Sequence, residues 1–172
     1  EGLRIARAIW VDEDGRGMTF RDTIRGTRQK IWRLDAATGQ ELGSVRIDGT
    51  GQLITRDPAD GAPGVEIRSR NLSLEATGRM AKGKTFPATG WKTDADNLEV
   101  TLNLPPGWRL FALFGADWVR GDWLTSWSLL DIFVVLIFTL AMFRLRGAGA
   151  AVLAFAALAL SYREFDAPQL LW

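Results

Sequence analysis

Residues 124–143 form an apolar run in which Asp131 is the one ionisable group, and nothing else in the chain constrains it so strongly. About twenty such residues, at about 1.5 Å of rise each, cover roughly 30 Å as a helix, the thickness of a hydrocarbon core. Arg144-Leu145-Arg146-Gly147 follows as a tight basic turn, and residues 148–160 make a second, shorter apolar run. Together the runs predict a helical hairpin across a membrane. Its second helix either continues through Ser161 and Tyr162 or stays partly in the interface. The competing reading is a pair of helices buried in a protein core. Arg144 and Arg146 lie in the short connection, where positive charge sets orientation, so the turn is expected in the cytoplasm and everything before the hairpin on the other side.

Trp108, Trp118, Trp123 and Trp127 make up half of the 8 tryptophans and crowd into one short stretch. Indole favours the boundary between lipid and water, so Trp118, Trp123 and Trp127 are expected as interfacial anchors. Asp131 would be costly inside a span unless paired, neutral or near water. Counted from the Arg144–Gly147 turn, Arg163 falls at a similar height on the return helix, so an Asp131–Arg163 ion pair is one expectation. The other is a carboxylate complementing the N-terminal dipole of its own helix. Small residues about four apart, Gly147, Ala151 and Ala154, suit close helix packing.

Before Pro105-Pro106-Gly107 the pattern changes to short strand-like runs punctuated by turn residues, which predicts a mainly β, sandwich-like domain. Strands are expected at 4–11, 18–24, 29–34, 41–47, 52–55, 65–68, 72–77 and 98–104, with a long loop at 79–97. Strict alternation over 98–104 makes it the clearest strand. The expected organisation is a β-rich extracytoplasmic domain at 1–107, a Trp-rich junction at 108–123, a transmembrane hairpin at 124–163 and the start of a further segment at 164–172. An opening without Met or a leader, and a close on Leu170-Leu171-Trp172, are read as a fragment of a longer chain.

With 21 Lys and Arg against 20 Asp and Glu there is no basic field to gather nucleic acid. The absence of Cys and His removes thiolate and imidazole catalysis and the usual zinc ligands. No cofactor, metal or catalytic residue is expected. Gly78-Arg79-Met80-Ala81-Lys82-Gly83-Lys84-Thr85 matches a phosphate-binding loop in letters. Its continuation, Phe86-Pro87-Ala88-Thr89-Gly90, cannot supply the helix whose N-terminus would cradle the phosphate. Asp12-Glu13-Asp14-Gly15-Arg16-Gly17 begins like a calcium loop, but Arg16 occupies a ligand position and Thr23 the place of the closing Glu, so a hairpin turn is the better reading. Residues 31–42 resemble one blade edge of quinoprotein-type β-propellers, without recurrence at blade spacing.

The junction Leu104-Pro105-Pro106-Gly107-Trp108-Arg109-Leu110, then Gly115-Ala116-Asp117, then Trp123 through Phe133, resembles large, uncharacterised proteobacterial inner-membrane proteins. Those place periplasmic β domains before C-terminal spans. The resemblance implies an inner-membrane location with a periplasmic β domain, and no catalytic residue. The leading functional expectation is a membrane-anchored interaction or scaffolding module of the envelope. Its partners would be the lipid bilayer and other proteins or the remainder of a longer chain, not nucleic acid. The alternatives are an envelope enzyme using paired carboxylates among Asp12, Glu13, Asp14, Asp57, Asp60, Asp94 and Asp96, and a part of a transport assembly.

Overall fold

The computed structural model describes residues 2–27, 33–81, 83, 85–124 and 126–161. They fall into two compact units, Glu1–Trp108 and Arg109–Trp172. The first contains strands β1 (Gly2–Val11), β2 (Gly17–Thr27), β3 (Arg33–Asp35), β4 (Gln40–Ile47), β5 (Thr50–Gly51), β6 (Thr55–Arg56), β7 (Pro63–Glu66), β8 (Asn71–Ala81) and β9 (Asn97–Asn103). A 6-stranded sheet runs β5-β4-β8-β2-β1-β9, and a 3-stranded sheet runs β3-β7-β6. All pairings are antiparallel except β1 with β9.

Period-2 patterning explains why the large sheet has one buried face. In β1 the inward row is Leu3, Ile5, Arg7 and Ile9. In β2 it is Met18, Phe20, Asp22 and Ile24, and in β8 Leu72, Leu74, Ala76 and Met80. The opposite face carries Arg4, Arg21, Arg25, Glu75 and Glu99 and is open to solvent. Leu34, Val65, Ile67 and Trp91 close the inner face over one cluster with Ile5, Ile24 and Leu74. A second cluster, Ile9, Met18, Phe20 and Met80, sits at the other end. Between the two lies an ion pair.

Several strands differ from expectation. β8 extends to Ala81, so Gly78 lies in mid-strand opposite Phe20 and Leu42 and does not open a phosphate loop. A side chain there would collide with the Phe20 ring and the Glu41 carbonyl, which is why the strand carries glycine. Only Arg33 and Leu34 of the expected 29–34 strand lie among the described residues, and both are in β3. Asp48 (φ 50°) and Gly49 (φ 80°) join β4 to β5 in a two-residue reversal with both residues left-handed, the geometry that matches strand twist.

The second unit holds α1 (Leu129–Arg146) and α2 (Ala148–Leu160). The expected transmembrane hairpin is corrected here: among the described residues no helix is long and apolar enough to cross a membrane. Ser128 caps α1, so the helix begins five residues into the apolar run. The 18 residues of α1 include Asp131, Arg144 and Arg146, and α2 has 13. The uncharged part of α1, from Ile132 to Phe143, rises only about 18 Å, and α2 about 20 Å, against roughly 30 Å of hydrocarbon. The expected inner-membrane location, with a periplasmic β domain and a cytoplasmic turn, loses its support with the span. The chain's mainly β character stands, joined to two short helices.

Candidate interaction surfaces and a buried ion pair

Arg7 and Asp22 are register partners on β1 and β2, both pointing inward with fully buried side chains. Arg7 Nε lies 3.4 Å from Asp22 Oδ1. The guanidinium also donates from Nη2 to Gln40 Oε1 at 2.6 Å and from Nη1 to the Pro87 carbonyl at 3.5 Å, and stacks 4.7 Å from the Phe20 ring centre. Trp91 Nε1 donates to Asp22 Oδ2 at 2.8 Å. The segment after β8 thus returns across the inner face as a lid, tied on by Ala37 N donating to Gly90 O and Lys92 N donating to Asp35 O. Gly90 has φ 71°, and a Cβ there would overlap the Arg7 guanidinium. Glycine is therefore required twice over at this position.

Burial pushes the Asp22 carboxyl up to about 6, against the opposing pull of Arg7 and the Trp91 N–H. Burial likewise lowers the Arg7 guanidinium from its ordinary range, with Asp22 raising it. Desolvation exceeding the mutual attraction in both partners marks a pair that organises the interior at an energetic cost. The pair and its partners come from β1, β2, β4 and the segment after β8, and together they fix the lid.

The carboxylates that could serve an enzyme are dispersed. Asp12 pairs with Arg79, and Asp60 with Lys92. Asp14 accepts from Arg16 N at 2.9 Å, Asp57 from Ala59 N at 2.8 Å, and Asp96 from Leu3 N at 2.6 Å. In the β1–β2 turn, Asp12 N donates to Gly17 O and Gly15 N to Asp12 O. A surface hollow bounded by Arg33, Glu66, Ile67 and Arg68 has one acid. Among the described residues no three His, Cys, Asp or Glu converge on a cation position.

In the second unit, Trp123 N donates to Leu110 O and Leu124 N to Phe111 O, drawing two segments together. Phe111 and Trp123 stack at 5.0 Å, and Trp127 meets Trp123 edge-on at 5.2 Å. Trp118 is exposed beneath Arg120, whose guanidinium lies 4.1 Å from its ring centre. Asp131 closes a capping box: its N–H donates to Ser128 Oγ at 3.2 Å, and its Oδ2 accepts from Ser128 N at 2.9 Å. Arg163 lies outside the described residues. Arg144 and Arg146 occupy the last turn of α1, where cations complement the helix C-terminus.

Among the described residues, a helix surface and a strand edge are open. On α1 and α2 only Val135 and Ala151 are buried, while Leu129 (87%), Leu153 (73%) and Leu160 (76%) are nearly bare and Phe133, Leu136 and Leu140 more than half exposed. In the β domain, β9 forms one end of the large sheet.

No family model matches this chain, and no curated protein does. Among solved structures, an M1 zinc metallopeptidase from Deinococcus radiodurans is similar at 12% identity, covering 48% of this chain and 21% of that one, with a TM-score of 0.38. Leukotriene A4 hydrolase from Saccharomyces cerevisiae is similar at 16% identity, covering 45% of this chain and 14% of that one, with a TM-score of 0.32. The chain thus spans about a fifth or less of these structures. Likeness of this degree carries no activity to this chain.

Proposed function

We propose that the chain is a protein-interaction module, in which the β domain is a self-contained body and the α1–α2 hairpin docks onto a protein partner. The observation that carries this reading is the bareness of the hairpin, whose large apolar side chains are mostly half exposed or more. A bare Leu or Phe presents roughly 100 Å², so the hairpin exceeds the apolar patch of a few hundred Å² that monomers ordinarily tolerate. Among the described residues no helix is long and apolar enough to cross a membrane, and an apolar helix pair of this size suits a groove or a bundle supplied by protein.

A photo-crosslinking residue placed singly at Leu136, Leu140 or Glu75 of the full chain in cells tests the proposal. Leu136 and Leu140 are expected to join one discrete protein, with the product lost on Phe133→Gln, while Glu75, on the solvent face of β8, does not. Products that are lipid alone, or equal yields from all three positions, would sink it.

A further inference from the structure

The two ends of the large sheet are built differently. At one end the two-residue β5 covers only Arg46 and Ile47 of β4, and the rest of the β4 edge is interrupted by a bulge between Leu42 and Ser44, which spoils it as a template for another strand. At the other, β9 offers seven residues of regular strand, paired only with β1 among the described residues. An open edge of that length is ordinarily blocked by proline, a bulge or inward-pointing charge. β9 has none of these: its inward row is Leu98, Val100 and Leu102, beside Ile5, Arg7 and Ile9 of β1. Leu98 and Leu102 pack against the two core clusters, while Val100 is left 39% exposed.

Asn97-Leu98-Glu99-Val100-Thr101-Leu102-Asn103 also reads nearly the same in both directions about Val100. Laid antiparallel on itself, it sets Asn97 opposite Asn103, Leu98 opposite Leu102, Glu99 opposite Thr101, and Val100 opposite Val100. Every inward apolar residue meets an inward apolar residue, and the one charge in the strand avoids its own copy. A slip of one residue would set the apolar row against Glu99 and Thr101. A twofold interface requires this self-complementarity, with one patch serving both sides.

We propose that β9 pairs antiparallel with β9 of a second copy of this chain, about a twofold axis through Val100, joining two 6-stranded sheets into one. The pairing supplies backbone partners to the open edge and covers Val100 beside Arg7. It uses residues of β9 and none of the hairpin, so substitutions can tell the two interactions apart.

The experiment is sedimentation of the full chain carrying Leu136→Gln, Leu140→Gln and Phe143→Gln, which removes association through the helices. A mass twice that of the 19.1 kDa chain is expected. Val100→Lys and Val100→Glu, each placing like charges opposite on the axis, are expected to halve it, and an equimolar mixture to restore it. Because the chain has no cysteine, a second measurement stands apart from charge: Val100→Cys should crosslink to dimer on mild oxidation, since opposed strand residues lie about 4.5–5.5 Å apart, within disulfide reach. Thr50→Cys, in β5, should not. A parent that is a monomer at about 100 µM with no Val100→Cys crosslink, or a dimer mass unmoved by Val100→Lys in folded protein, overturns the proposal. If Val100→Lys fails to fold, the crosslink decides: a rate no faster than Thr50→Cys refutes the pairing.

Discussion

Arg7→Met removes one half of the buried pair while roughly keeping its volume against Phe20. Asp22 then stays buried with only the Trp91 N–H for support, and losing the partner of a buried charge costs about 3–5 kcal/mol. Asp22 has an escape, because it can take up a proton on folding. Its carboxyl already stands at about 6 against an ordinary 3.8, and without Arg7 it rises further. A folded-state value above the unfolded one means that the native state binds the proton more tightly. The stabilisation is complete below the unfolded value and is lost as pH rises through the folded one. In the wild type this window is about 4 to 6, so Asp22 makes the domain more stable at pH 5 than at pH 7 by about 1 kcal/mol, part of at most about 3 kcal/mol over the whole window at 1.36 kcal/mol per unit. In Arg7→Met the upper end moves above 6. The mutational penalty is therefore largest near pH 8 and shrinks by about 1–3 kcal/mol at pH 6. Urea unfolding of the full chain, followed by far-ultraviolet circular dichroism with the slope checked for constancy, measures it. Arg7→Met with Asp22→Leu should recover to within about 1 kcal/mol of wild type. A loss below about 1 kcal/mol at pH 8, or one independent of pH, would refute a desolvated ion pair as the organiser of the lid.

Gly90→Ala combines a left-handed backbone with overlap on Arg7 and should destabilise by about 2–3 kcal/mol in the same assay; a loss below 0.5 kcal/mol would mean that the lid is not held as described. Gly78→Ala should cost about 1–3 kcal/mol by forcing Phe20 aside, visible as a lower urea midpoint with unchanged slope. Ser128→Ala removes the cap of α1 and should lower its stability by about 1 kcal/mol, read as faster amide exchange in its first turn with β8 unaffected; uniform change across both elements would contradict a local cap.

The β domain was legible because its rows alternate: Leu3, Ile5 and Ile9, or Met18, Phe20 and Ile24, declare an inward face without any structure. Arg7 and Asp22 sit in those same rows at the same period, and that was the available signal for the buried pair. Composition obscures it, since charged residues in strands are ordinarily outward. Gln40 and Trp91 could not be found this way, because their roles depend on how the lid returns. The hydrophobic stretch misled for a related reason. Hydropathy counts residues 124–143 as one run, whereas Ser128 and Asp131 have the local chemistry of a helix start and divide it. The symmetry of 97–103 is visible on the page as letters, but only its place at the end of a sheet gives it meaning.

The two-residue β5 has a consequence for how far assembly can go. A sheet with two long free margins would add copies at each without limit and grow into a fibre. With one margin made of the two-residue β5 and a β4 edge broken by its bulge between Leu42 and Ser44, any pairing through the other leaves an irregular margin at both outer ends, and growth terminates at two chains.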